Sequence, residues 1–188
     1  MHLTVKDTKA LGPDNAPQWH ALYTRHQHEK PVARMLSSKG HEVFLPLYDV
    51  ARRWQDRLKN VSLPLFPCYV FIRGGMDRQH QILSTPGVFT VVGWAGHPAA
   101  IPESQIQGLR QMAESSTRLE PHPYLASGDR VRIRSGTLQG LEGILVRKKN
   151  LSRLVVSLEI LGRSAAVEVD ASCLESLDRP RGERGETT

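Results

Sequence analysis

Pro64-Leu65-Phe66-Pro67-Cys68-Tyr69-Val70-Phe71-Ile72 lies in the first half of the chain and reads as the entry to a buried strand. Cys68 to Ile72 is an unbroken apolar run that Pro67 precedes and Gly74-Gly75 ends. Proline has no N–H to give a central ladder, so it can open such a strand but not occupy it. Tyr69 and Phe71 are two residues apart and therefore share one face of that strand, with Phe66 at its entrance.

Working outward, Trp19-His20-Ala21-Leu22-Tyr23-Thr24 is short, aromatic and bounded by polar residues, which predicts a second strand. A short amphipathic helix follows. Pro31 suits its first turn, Val32, Met35 and Leu36 fall on one face, and Gly40 stops it. Glu42 to Pro46 is extended, and Tyr48–Trp54 and Val61–Leu65 flank a charged tip from Gln55 to Asn60, the pattern of a hairpin. Asp77 opens a helix of one or two turns that stops before Thr85-Pro86-Gly87, and Val88–Trp94 is a further strand. Pro102-Glu103-Ser104 starts a last helix with Ile106, Leu109 and Met112 or Ala113 inward. The result is about five strands and three helices by residue 114.

Residues 1–17 are rich in turn formers and are expected to be a disordered lead-in. The 18–114 region is the first domain. From 115 to 126 the pattern lapses into Ser-Ser-Thr-Arg and Glu-Pro-His-Pro-Tyr, and the interdomain linker is placed there. Beyond it, Val131/Ile133, Ile144/Val146, Leu154/Val156/Leu158/Ile160 and Ala165/Val167/Val169 alternate with polar residues, which predicts a small all-β domain over 127–177. The charged segment 178–188 is expected to be a flexible tail.

Composition bounds the function. The 188 residues carry a formal charge of +6 with a sequence pI near 9.6 and a mean hydropathy of -0.36. Such a chain is an ordinary globular one with some affinity for polyanions. The basic excess is concentrated: His20 to Asn60 holds eight Lys/Arg against four Asp/Glu, and Ser127 to Arg163 eight against three. No apolar run approaches the roughly 18 residues of a membrane span. The two cysteines, Cys68 and Cys173, are far apart, so neither a disulfide framework nor a four-ligand zinc site is expected, and the usage fits a reducing cytoplasm. His26-Gln27-His28 has metal-like spacing, but no carboxylate or cysteine set completes a site around it in the sequence. No metal, cofactor or catalytic constellation is therefore expected, and the chain does not read as an enzyme.

In order and spacing, Trp19 to Arg25, Glu42 to Pro46, Pro64 to Phe71 and Thr85-Pro86-Gly87-Val88 resemble the N-terminal domain of the NusG family. Gly128-Asp129-Arg130-Val131-Arg132-Ile133, Gly136, Gly143-Ile144 and Leu154 to Val169 resemble its KOW module. Within the family, His28-Glu29-Lys30, the Pro64–Phe71 run and the basic Trp54-Gln55-Asp56-Arg57-Leu58-Lys59 hairpin are most similar to the specialised RfaH/UpxY-type paralogues. General members have Phe-Pro-Gly-Tyr where this chain has Phe66-Pro67-Cys68-Tyr69.

The resemblance implies an α+β fold: an antiparallel four-stranded sheet with helices, then a five-stranded SH3-like barrel. One paralogue refolds its C-terminal domain from an α-hairpin, but the β-branched, period-two runs here favour the barrel as the resting state. It also implies a bacterial, cytoplasmic, monomeric elongation factor that binds RNA polymerase and promotes antitermination, specific to polysaccharide-type operons. The alternatives are a general NusG with pausing and termination roles, or an RNA-binding or ribosome-associated KOW protein.

For the sites, the resemblance puts the polymerase contact at Tyr69, Phe71 and Phe66, for which core filling is the competing reading. It puts non-template DNA at Arg25, His26, His28 and Thr85, with the hairpin cations Arg52, Arg53, Arg57 and Lys59 as a possible extension of that surface. Leu138 and Leu141, in the loop between Gly136 and Gly143, would dock a ribosomal protein or a termination factor.

Overall fold

The computed structural model describes residues 17–54, 57–115, 117–125, 128–148 and 151–177. The expected lead-in up to residue 16, the hairpin tip at 55–56 and the expected tail at 178–188 lie outside the described residues.

The first sheet has four strands: β1 (Trp19–Thr24), β2 (Glu42–Phe44), β5 (Tyr69–Arg73) and β6 (Val88–Val91), in the order β2-β5-β1-β6. All three pairings are antiparallel. The Pro67-led apolar run is thus a central strand, as its sequence requires. Because side chains alternate, Leu22, Val70 and Ile72 face one way, and α1 (Glu29–Ser38) and α2 (Gln79–Leu83) bury them with Val32, Leu36 and Ile82.

Trp19, Ala21, Phe44 and Phe71 face the other way, against α3 (Glu103–Glu114) with its Ile106, Leu109 and Met112. Polar contacts fix that helix to the sheet. The Trp19 indole N–H donates to Glu103 Oε2 at 3.0 Å, and the Arg110 guanidinium lies 5.1 Å from the Trp19 ring and 5.2 Å from the Phe44 ring.

The expected hairpin is present but longer than its apolar pattern. β3 (Leu47–Trp54) pairs with β4 (Arg57–Pro64), so the charged stretch from Arg57 to Asn60 is strand rather than loop. Cross-strand pairing continues there through Trp54 opposite Arg57. A small ribbon of β7 (Gly93–Trp94) and β8 (His97–Pro98) precedes α3.

The second half is a meandering antiparallel sheet in the order β14-β10-β11-β12-β13-β9, made of β9 (Leu119–Pro123), β10 (Asp129–Ile133), β11 (Glu142–Lys148), β12 (Leu151–Leu158), β13 (Arg163–Val169) and β14 (Leu174–Ser176). The alternating runs are strands, as expected. The stretch read as a linker contains one more: Leu119–Pro123 lies along β13, with Leu119 opposite Val167 and Pro123 opposite Arg163. Proline is tolerated because β9 is an edge strand, where one row of amides needs no ladder partner. Among the described residues, 115, 117–118 and 124–125 are left as connection on either side of it.

The two halves share one apolar cluster. Val131, Ile133, Leu154, Val156, Leu158 and Val167 of the second sheet are continuous with Phe66, Phe71 and the inner face of α3.

Candidate polymerase and nucleic-acid interface

Two tight turns organise the far end of β1. Phe66-Pro67-Cys68-Tyr69 closes with Tyr69 N–H donating to Phe66 O at 3.2 Å, and Thr85-Pro86-Gly87-Val88 closes with Val88 N–H donating to Thr85 O at 3.0 Å. Each has proline in second place and a positive φ in third, +69° at Cys68 and +94° at Gly87, the signature of a type II turn. Their third-place carbonyls accept from consecutive amides: Thr24 N–H donates to Cys68 O and Arg25 N–H to Gly87 O, both at 2.8 Å. The end of β1 is held between the two turns.

Beyond that end the sheet carries a strip of exposed rings. Tyr23 and Tyr69 are register partners with centroids 5.5 Å apart, and Tyr23 stacks on Phe89 at 6.0 Å with the planes 27° from parallel. Phe89 reaches this face through a β-bulge: Tyr23 pairs with Thr90 and Thr24 with Val88, leaving Phe89 as the extra residue. Tyr23 is 40% exposed and Phe89 58%. Arg25 stands over the Phe89 ring at 5.7 Å, adding a cation to the strip.

This arrangement separates the residues expected to contact polymerase. Tyr69 is half-buried and belongs to the strip. Phe71, at 0% exposure, and Phe66, at 2%, pack edge-to-face at 6.0 Å in the core beneath α3 and the second sheet. Sharing a strand face with Tyr69 did not make Phe71 accessible, because Phe44 and Phe66 pack on the Phe71 ring, each with centroids 6.0 Å away, within the apolar core. Tyr23 and Phe89 are the exposed partners that sequence reading missed. Tyr23 had a usable signal, since it alternates with Trp19 and Ala21; Phe89 had none, because the bulge breaks the period.

The expected DNA-facing residues also divide. Arg25, His26 and His28 are exposed in the β1–α1 loop, and His28 Nδ1 bonds His26 O at 3.0 Å. Thr85 is buried at 1% exposure, where its hydroxyl accepts from Lys39 Nζ at 2.7 Å and donates to Gln81 O at 3.3 Å. It is a structural residue of its turn and not a surface contact. Arg53 and Lys59 are exposed on the hairpin, whose register sets Arg52 opposite Lys59 and Trp54 opposite Arg57. The side chains of Arg52 and Arg57 lie outside what is described.

Leu138 and Leu141 are not surface docking residues here. Both are 5% exposed, in a loop folded inward by the hydrogen bonds Gly140 N–H to Ile133 O at 2.8 Å and Ile133 N–H to Leu141 O at 3.0 Å. Leu141 abuts α3 so closely that a Cβ on Gly108 would stand 2.9 Å from its Cδ1.

No carboxylate or cysteine set was expected beside His26-Gln27-His28, but one of each lies there in the fold. His26, Glu29 and Cys68 bring their donor atoms within 4.8 Å of one another. Cys68 is distant in sequence from the other two, and only its turn folding onto the start of α1 brings the three together.

The family model described as NusG, transcription termination factor, matches residues 17–110. The transcription termination/antitermination protein NusG of Pseudomonas aeruginosa is 27% identical over 177 residues, covering 86% of this chain and 99% of its own. The protein of the same name from Rickettsia prowazekii is 22% identical over 188 residues, covering 93% and 98%. A solved structure concerned with domain interaction in Thermotoga maritima NusG is 20% identical, covers 86% of this chain and 97% of its own, and superposes with a TM-score of 0.49.

Proposed function

The chain belongs to the NusG family of transcription termination factors, and on that premise we propose that it binds RNA polymerase through the Tyr23–Tyr69–Phe89 strip and acts as a general termination/antitermination factor. As a family member it is a transcription factor without enzymatic activity. The observation that carries the reading is the strip itself. Large rings with few rotatable bonds, left exposed on a rigid sheet, supply contact area at small entropic cost. Tyr23 and Phe89 are also too exposed for their size to be explained by core packing, while half-buried Tyr69 joins them to the core.

Arg25, His26 and His28 border the strip, and Arg53 and Lys59 add cations on the hairpin. Together they suit exposed DNA beside a polymerase-bound strip, with arginine taking phosphate or a base face and histidine a base edge. The named relatives, all termination/antitermination proteins, favour a general factor over one restricted to polysaccharide-type operons. A ribosomal protein or termination factor could reach Leu141 only after the second sheet parts from α3. No helix among the described residues is long and apolar enough to cross a membrane.

The function is tested by transcription in vitro with purified polymerase on a template carrying a pause and a terminator. The wild-type chain is expected to change pause duration or termination efficiency, and the Tyr23→Ala/Phe89→Ala chain to do neither. A wild-type chain without effect, or a folded double variant with full effect, contradicts the proposal.

A further inference from the structure

We propose that His26, Glu29 and Cys68 form a zinc-binding site at the junction of the β1–α1 loop, the first turn of α1 and the turn that leads into β5. Imidazole, carboxylate and thiol together form a donor set suited to Zn2+, a borderline-soft ion without geometric preference. Cys68 Sγ lies 3.9 Å from His26 Nδ1, and all three donor groups fall within 4.8 Å of one another. Tetrahedral zinc with bonds of about 2.0–2.3 Å places its ligand atoms roughly 3.3–3.8 Å apart, so small side-chain rotations close the site.

Two features of these residues accord with such a site. Cys68 holds a φ of +69° in the turn position that favours glycine, while the sister turn carries Gly87 in the equivalent place. A side chain kept against that backbone preference is explained if the thiol has a task. Glu29 is only 3% exposed, and Cys68 N–H donates to its Oε1 at 2.7 Å. That bond and the helix start help to hold a carboxylate there, but they do not require a thiol and an imidazole beside it.

A bound dication would displace the thiol proton to solvent and neutralise the thiolate and the Glu29 carboxylate together. His28 Nδ1 is already engaged with the His26 carbonyl, which steadies the loop and leaves the His26 ring as the one that swings toward Cys68. With three protein ligands, the fourth position falls to water. A bound ion would tie Arg25 and Tyr69, the sequence neighbours of His26 and Cys68, to one rigid corner beside the aromatic strip. The proposal does not depend on what the strip binds.

The test uses the full chain, stripped with a chelator under reducing conditions and titrated with Co2+ as a spectroscopic stand-in, followed by Zn2+ competition. The expected result is a single equivalent of Co2+ with a thiolate-to-cobalt charge-transfer band, displaced by Zn2+. The band should persist in Cys173→Ser and vanish in Cys68→Gly, a variant whose backbone suits the turn and whose fold circular dichroism would verify. His26→Ala and Glu29→Gln, the latter keeping an acceptor for the Cys68 amide, should each lose about tenfold or more in affinity. The absence of a thiolate band, its survival in Cys68→Gly, its loss in Cys173→Ser, or unchanged affinity in folded His26→Ala and Glu29→Gln would overturn the site.

Discussion

Phe89 stacks on Tyr23 only because β6 carries a bulge opposite the end of β1, which turns Phe89 onto the face that Tyr23 and Tyr69 share. The same face two residues further along β5 is closed over Phe71. Stability should divide accordingly. Phe71→Ala is expected to cost about 3–5 kcal/mol through lost burial and a cavity, and Phe89→Ala no more than about 1 kcal/mol, the scale of an exposed aromatic pair. Urea unfolding of the two variants checks this; equal losses would contradict the placement.

Cys68→Gly should stabilise the metal-free chain. A non-glycine residue in the left-handed region costs roughly 1–2 kcal/mol, and the greater freedom of glycine in the unfolded state returns part of that. The expected net gain is about 0.5–1 kcal/mol, read as a shift in the denaturant midpoint. A loss of stability without metal would show that the turn does not strain its cysteine.

His20 makes stability depend on pH. It is buried in β1, and because a carbonyl can only accept, its Nδ1–H donates to Ala99 O at 3.0 Å. Desolvation holds its pKa below the ordinary 6.5, outweighing the Ala99 bond, which pulls the other way. The folded form therefore binds fewer protons than the unfolded one in this range. Its contribution is whole above about pH 6.5 and falls away as the pH drops from there through the lowered folded value. The melting temperature should decline over that acid window, and His20→Gln should flatten the decline. An identical slope in a folded His20→Gln chain would assign the effect elsewhere.

Gly108 faces Leu141 with no room for a larger group. Gly108→Glu should part the second sheet from α3, because a charged side chain there must either be buried without a partner or displace the loop. Small-angle scattering is expected to show a larger radius of gyration with the secondary structure unchanged. An unchanged radius would mean that the contact tolerates the charge.

Most of the architecture was legible from local pattern. Pro67 and the apolar run after it made β5 a central strand, and the alternation from Leu154 to Val169 made a β domain, because both signals depend on neighbours in sequence. Three things escaped for a common reason: they depend on contacts between distant segments. Leu119–Pro123 became a strand because β13 offered an open edge, Leu138 and Leu141 were buried by α3 and their own folded loop, and Cys68 met His26 and Glu29 only when its turn closed over the start of α1. Proline content, loop position and wide spacing pointed the other way in each case. At the site, the face shared by Tyr69 and Phe71 was legible, but the limit of its cover was not.

The exposed rings at the end of β1 are proposed to hold the chain on RNA polymerase, and co-purification of polymerase with the tagged wild-type chain and with a folded Tyr23→Ala/Phe89→Ala chain measures that hold. Loss of two central anchors should lower retention about tenfold or more. Equal retention by the two chains would contradict the claim.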